Sequence, residues 1–132
     1  MQSIRDFDKV IELDSTSSLG YFNRGIVRSQ IGDYNRALED FDRVAMFSPD
    51  NVLVYFNRAM LYTRLGDTDA AIADYTRAIE LAPELAEAYY NRGLVQIFMK
   101  DTRKGCMDMS KAGELGIEAA YKVLAQYRIA EH

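Results

Sequence analysis

Apolar residues fall along the chain at helical spacing. Between residues 52 and 65 they occupy positions 52, 53, 55, 56, 59, 60, 61, 62 and 65, a broad apolar surface on a helix. Gly66-Asp67 interrupts the run, glycine being suited to a helix C-terminus and aspartate to capping the helix that follows. A second stripe runs over 68–82 through Ala71, Ile72, Tyr75, Ala78, Ile79 and Leu81. Pro83 closes the unit by holding the residue before it outside the helical region. The predicted unit is therefore two helices joined by a tight turn. No segment shows the period-two alternation of a half-buried strand, so the predicted class is all-α.

This unit is repeated. YFNRG at 21–25, YFNRA at 55–59 and YYNRG at 89–93 stand 34 residues apart. In the same register Gly32 falls on Gly66, Ala37 on Ala71 and Gly105, and Phe41 on Tyr75 and Met109. Val44 falls likewise on Ala78 and Ala112, and Pro49 on Pro83. Upstream, Phe7, Val10 and Leu13 correspond to Phe41, Val44 and Phe47, so the chain opens on the second half of an incomplete repeat. The expected organisation is one domain over 1–132. It comprises a trailing helix at 2–15, repeats at 18–51 and 52–85, a degenerate repeat at 86–116 and a capping helix at 117–132. The third copy is degenerate because Lys100 replaces the turn glycine, Gly105 the alanine and Ile117 the proline. In the cap, Tyr121, Leu124, Ala125 and Arg128 are expected to cover the apolar face of the preceding pair.

The pattern resembles the tetratricopeptide repeat family over nearly the whole chain. The resemblance rests on the aromatics at 21, 55 and 89, the small residues at 25, 59 and 93, Gly32 and Gly66, Ala37 and Ala71, and Pro49 and Pro83. It implies a right-handed superhelical array of antiparallel helix pairs that holds a peptide or protein segment in its concave face. The small residues have a physical role, since helices crossing at about 8–10 Å need small side chains at the crossing.

An aspartate lies sixteen residues beyond each arginine of the pentapeptide: Arg24 and Asp40, Arg58 and Asp74, Arg92 and Asp108. That interval leads from the middle of one helix to the middle of the next, so an ion pair within each repeat is expected. The alternative is that the arginines bind an anionic ligand. Asn23, Asn57 and Asn91 precede them by one residue. By the resemblance, the asparagine amide faces the groove and hydrogen-bonds a peptide backbone. The other readings are a neutral exposed residue or a bond to the neighbouring repeat. Helical geometry groups with these asparagines Leu19, Phe22 and Ile26, then Leu53, Phe56, Met60 and Arg64, and finally Glu87, Tyr90, Leu94 and Phe98. Ser29, Gln30, Thr63 and Ile97 fall on the same face. Relatives that clamp the acidic tails of heat-shock chaperones carry lysine where this chain has Leu19, and basic residues on a third helix that here offers Glu87 and Asn91. The resemblance thus implies an apolar or neutral occupant.

Composition narrows the functional classes. A net charge of −4 gives no electrostatic reason to bind nucleic acid or acidic lipid. No apolar run reaches membrane-spanning length, so direct membrane insertion is not expected, and the opening MQSIRDFDKV lacks the apolar core of a signal peptide. The compartment is left open, because a piece cut from a longer protein would read the same. Cys106, the single cysteine, excludes an intrachain disulfide and a cysteine-based zinc site. His132, the sole histidine, is terminal. With no phosphate-binding glycine loop and no activating base for Cys106, neither enzyme, cofactor nor metal chemistry is expected. A second reading is self-association, a homo-oligomer formed through the apolar face of the N-terminal helix at Phe7, Val10, Ile11 and Leu13.

Overall fold

The computed structural model describes residues 4–13 and 17–130, with the side chains of 12, 13 and 128–130 left aside. Among these residues the chain forms α1 (Ile4–Leu13), α2 (Ser18–Gln30), α3 (Tyr34–Phe47), α4 (Val52–Leu65), α5 (Thr68–Leu81), α6 (Ala86–Phe98), α7 (Thr102–Glu114) and α8 (Glu118–Ala130). The result is an all-α array. Helices α2 and α3, α4 and α5, and α6 and α7 pack as successive pairs, with α1 before them and α8 after.

Local chemistry starts and stops the helices. Ser17, Asn51 and Asp67 each accept a hydrogen bond from the backbone three residues on, satisfying an orphan donor of the first turn. The turn within each pair closes in one way, with Asp33 N donating to Arg28 O, Asp67 N to Tyr62 O and Asp101 N to Gln96 O at 2.8–2.9 Å. This pattern needs a left-handed residue before the donor. Gly32 and Gly66 take φ of 84° and 82°, and Lys100 takes 67° in the third copy. The linkers between pairs are less uniform. Pro49 and Pro83 occupy the first two, whereas in the third Gly116 adopts φ 115° and Ile117 N donates back to Ala112 O.

The core is a ladder of repeat positions. Ala37, Phe41 and Val44, then Ala71, Tyr75 and Ala78, then Met109 and Ala112 are buried along α3, α5 and α7. Small residues let the helices of a pair approach. A side-chain carbon added at Gly25 would lie 2.7 Å from the Phe41 ring, and one added at Gly93 would lie 3.0 Å from the Gly105 carbonyl. The cap covers the ladder's end differently from the sequence expectation. Ala120 and Leu124 are buried against Met109 and Ala112, and the Tyr121 ring lies over Gly113 while staying half exposed. Ala125 faces solvent, because the surface turned to α7 runs through 120, 123 and 124. The expectation for Arg128 lies outside the described side chains.

Candidate peptide-binding groove

The pentapeptide organises the array residue by residue. Its arginine is a three-helix node. Arg58 Nε and Nη2 donate to Asp74 at 2.7 and 2.9 Å, while Nη1 reaches Asp42 on α3 at 3.1 Å. Arg24 donates to Asp40 and, on the other side, to Asp8 of α1. Arg92 donates to both oxygens of Asp108 and to the Thr76 hydroxyl of α5. The second arm lies sixteen residues before each arginine. The repeat therefore wrote Asp8, Asp42 and Thr76 into the sequence as plainly as the residues that follow.

The node's aspartates are almost fully buried, at 1% exposure for Asp40 and Asp74 and 7% for Asp108. Each has a second donor: Arg28 for Asp40, Arg77 for Asp74, and for Asp108 the Gln96 amide once its oxygen and nitrogen are oriented to satisfy both neighbours. Hydrogen bonds to these carboxylates hold the pKa values of Arg24, Arg58 and Arg92 above the ordinary arginine value, although burial opposes the shift. Guanidiniums saturated in this way have little left to offer a ligand.

The aromatics of the pentapeptide fix the scaffold too. Tyr55 and Tyr89 donate to the carbonyls of Pro49 and Pro83 at 2.7 and 2.8 Å, tying each helix start to its linker. Arg24, Arg58 and Arg92 sit over the rings of Tyr21, Tyr55 and Tyr89 at 5.5–5.9 Å. Phe22 packs on Phe41 and Phe56 on Tyr75, at ring separations of 5.9 and 5.8 Å, and Tyr90 joins the cluster around Met109. These three rings serve contacts within their own repeats and are only half exposed.

Three adjoining clefts open between the first helices of the pairs. One, about 270 Å³, lies between α2 and α4 and is lined by Ile26, Ser29, Gln30, Tyr34, Asn57, Met60, Leu61 and Arg64. The next, about 340 Å³, lies between α4 and α6 and is lined by Met60, Thr63, Arg64, Tyr75, Asn91, Leu94 and Val95. A third, about 320 Å³, reaches the turn at Gly66 and Thr68 and adds Phe98, which is 79% exposed.

The structure therefore divides the sequence-derived face. Ile26, Asn57, Met60, Arg64, Asn91, Leu94 and Phe98 line clefts, as do Ser29, Gln30 and Thr63. Leu19, Leu53 and Glu87 stand exposed at the first turns of α2, α4 and α6 and line none of these clefts, nor do Phe22, Asn23, Phe56 and Tyr90. Ile97 turns inward against Gly105. The reason is geometric: the clefts are framed by the C-terminal halves of the first helices, while the N-terminal halves carry the packed aromatics. Tyr34 and Tyr75 also line clefts, though helical phase on α2, α4 and α6 could not have included them. They come from the second helices, and their only sequence signal is aromatic bulk at the start and middle of those helices.

Two asparagines have neighbours inside the chain. Asn57 Nδ2 donates to Leu53 O at 2.7 Å, and Asn91 lines the same cleft as Tyr75 of the preceding pair. Thr63 lines it too, and burial raises the Tyr75 pKa above the ordinary phenol value. The Asn57 bond stays within its own helix, which none of the sequence readings anticipated, and Asn91 stands beside a ring of the neighbouring repeat. Each still lines a cleft.

Reactive chemistry is sparse on this framework. Among the described residues no group of three or more His, Cys, Asp or Glu side chains is placed to hold a metal. Among the described residues no helix is long and apolar enough to cross a membrane. Cys106 is half-buried beside Met109, and His132 lies outside the described residues.

Comparison with known proteins agrees with this architecture. A tetratricopeptide repeat model matches residues 7–39 and a TPR repeat model residues 60–97, together more than half of the chain. No curated protein matches the sequence. Among solved structures, a crystal structure of MamA superposes with a TM-score of 0.91 at 24% identity, over 97% of this chain and 76% of that one. A MamA fragment, 41-end, from Desulfovibrio magneticus RS-1 gives 0.88 at 22%, over 97% and 73%. The second TPR of Spaghetti (RPAP3), bound to the HSP90 peptide SRMEEVD, gives 0.72 at 26%, over 76% and 94%. Repeat matches in register, an all-helical array and these likenesses converge: the chain belongs to the tetratricopeptide repeat family, whose members generally serve as protein interaction modules.

Proposed function

We propose that the chain is a non-catalytic module that holds an extended segment of another protein along the clefts between α2, α4 and α6. The observation that carries this reading is a division of labour among the repeat positions. The pentapeptide arginines and their preceding tyrosines serve the scaffold, whereas Met60, Leu94 and Phe98 present apolar surface at open clefts with Thr63 and Asn91 between them. An apolar strip with interspersed amides and hydroxyls suits a peptide main chain. The RPAP3 domain, similar in fold, holds a peptide. Its acidic peptide is a poor guide to sequence preference here, because Leu19 and Glu87 stand where a multi-lysine clamp would need positive charge.

Self-association through α1 is the weaker reading. Phe7 is already 6% exposed, Val10 and Ile11 approach Gly20 of α2, and Arg5, Asp6, Asp8 and Lys9 occupy the exposed surface. The test is selection of a displayed random-peptide library on the purified chain and on a folded Leu94→Asp variant. Enrichment that disappears in the variant supports the groove. Equal enrichment on both proteins, or none on either, sinks it.

A further inference from the structure

The groove's electrostatics are more specific than its shape. The chain carries 20 acidic residues against 16 basic ones, yet no carboxylate lines any of the three clefts. Their one charged side chain is Arg64, which lines all three. Unlike Arg24, Arg58 and Arg92, it has no carboxylate partner among the described residues. Its contacts are a long hydrogen bond of 3.4 Å to the Tyr34 hydroxyl and a cation–π contact with the same ring at 6.0 Å. Tyr34 thus steadies the guanidinium from one side and leaves its donor fork open to the groove.

Resting on the groove reading, we propose that the occupant is an internal stretch of a partner protein carrying one acidic side chain. That carboxylate pairs with Arg64, and a large apolar side chain a few residues away enters the pocket of Leu94, Val95 and Phe98. The charge count limits the acid to one, because Arg64 is the one charged side chain that lines these clefts. Placement argues for an internal stretch. Clefts continue on both sides of Arg64, towards Ile26 in one direction and Leu94 in the other, so a chain bound there runs on past the ion pair. A free C-terminal carboxylate would end at Arg64 and leave one side empty.

Two random-peptide libraries test this, one displayed as internal segments and one with free C-termini. Each is selected on the wild-type chain, on Arg64→Glu and on Leu94→Asp, with folding checked by circular dichroism. On the wild type, the internal library is expected to enrich one Asp or Glu at a fixed offset from a large apolar residue. Arg64→Glu is expected to replace that acid with Lys or Arg and keep the apolar residue. A synthetic peptide of the wild-type motif should bind Arg64→Gln about tenfold more weakly, with a reduced salt dependence. Enrichment that needs Leu94 but shows no acid preference, or an acid preference that survives Arg64→Glu, overturns the inference and leaves the groove reading standing. Enrichment from the free-C-terminus library alone overturns the internal placement. Failure to enrich any motif from either library overturns the groove reading and this inference together.

Discussion

The α4–α5 and α6–α7 pairs have the same architecture built from different residues. In the first, Gly66 makes the turn, Ala59 and Ala71 sit at the helix crossing, Tyr75 fills the core and Asp42 supplies the second arm of the arginine node. In the second, those places hold Lys100, Gly93 and Gly105, Met109 and Thr76. The turn hydrogen bond and the bidentate arginine–aspartate pair are nonetheless the same. Packing and hydrogen bonding impose the backbone even where local preference resists it. The left-handed Lys100 costs about 1–2 kcal/mol against a glycine and is held because the turn needs that conformation. Gly105 is a local adjustment too: with its neighbour Gly93 it brings α6 and α7 close enough for Ile97 to seat between them.

The largest expected effect separates the two nodes. Removing Asp108 leaves Arg92 with only the neutral Thr76 hydroxyl, whereas removing Asp74 leaves Arg58 paired with Asp42. Asp108→Ala should therefore destabilise by about 3–5 kcal/mol, and Asp74→Ala by less, in urea unfolding of each variant. The reverse order would show that the second arm contributes nothing.

Next comes Gly105→Ala, which restores the residue type of the other repeats. A methyl group there would press on Ile97 and come within 2.9 Å of the Gly93 carbonyl. This repeat-restoring change should thus cost about 1–3 kcal/mol, read from the same unfolding curves. A gain in stability would mean that α6 and α7 can separate at no cost.

Lys100→Gly should act in the other direction, raising stability by about 1 kcal/mol by removing the left-handed penalty. Thermal unfolding of this variant beside Gly66→Lys makes the comparison, since the second change should be destabilising by a similar amount.

The smallest effect is a pH slope. The Tyr75 hydroxyl titrates above the ordinary phenol value because burial disfavours its anion, so the folded chain keeps this proton longer than the unfolded one. Its contribution is complete below about pH 10 and is lost as pH rises from there through the folded value. Tyr75→Phe, which removes this titration, should lose less stability between pH 9 and 11 than the wild type, as read from urea unfolding at each pH.

Much of the fold was legible because the repeat supplies its own alignment. A glycine at 32 and 66 and apolar stripes of fixed phase locate helices and turns without any knowledge of contacts. The groove was less legible. Helical phase groups Phe22, Phe56 and Tyr90 with Ile26, Met60 and Leu94, since all lie on one side of their helices. Which half of that side is closed depends on the size of residues 41, 75 and 109 on the facing helix and on the angle between helices. Neither is a property of the first helix's own sequence. Asn91 makes the same point, because the cleft it shares with Tyr75 exists only once the pairs are stacked.

The node arginines also bear on how the array comes apart. A linear stack is only as cooperative as its junctions, and each junction here is crossed by one guanidinium reaching back to the previous second helix. At the first two junctions that reach ends on a charge, Asp8 or Asp42; at the third it ends on the Thr76 hydroxyl. The third junction thus lacks the ion pair of the first two and is held by apolar packing, with Ala88 and Val95 of α6 in the same buried cluster as Ala71 and Tyr75 of α5. Since α6 supplies one wall of the groove's apolar end and α4 the other, a segment bound there would bridge the one junction that carries no ion pair.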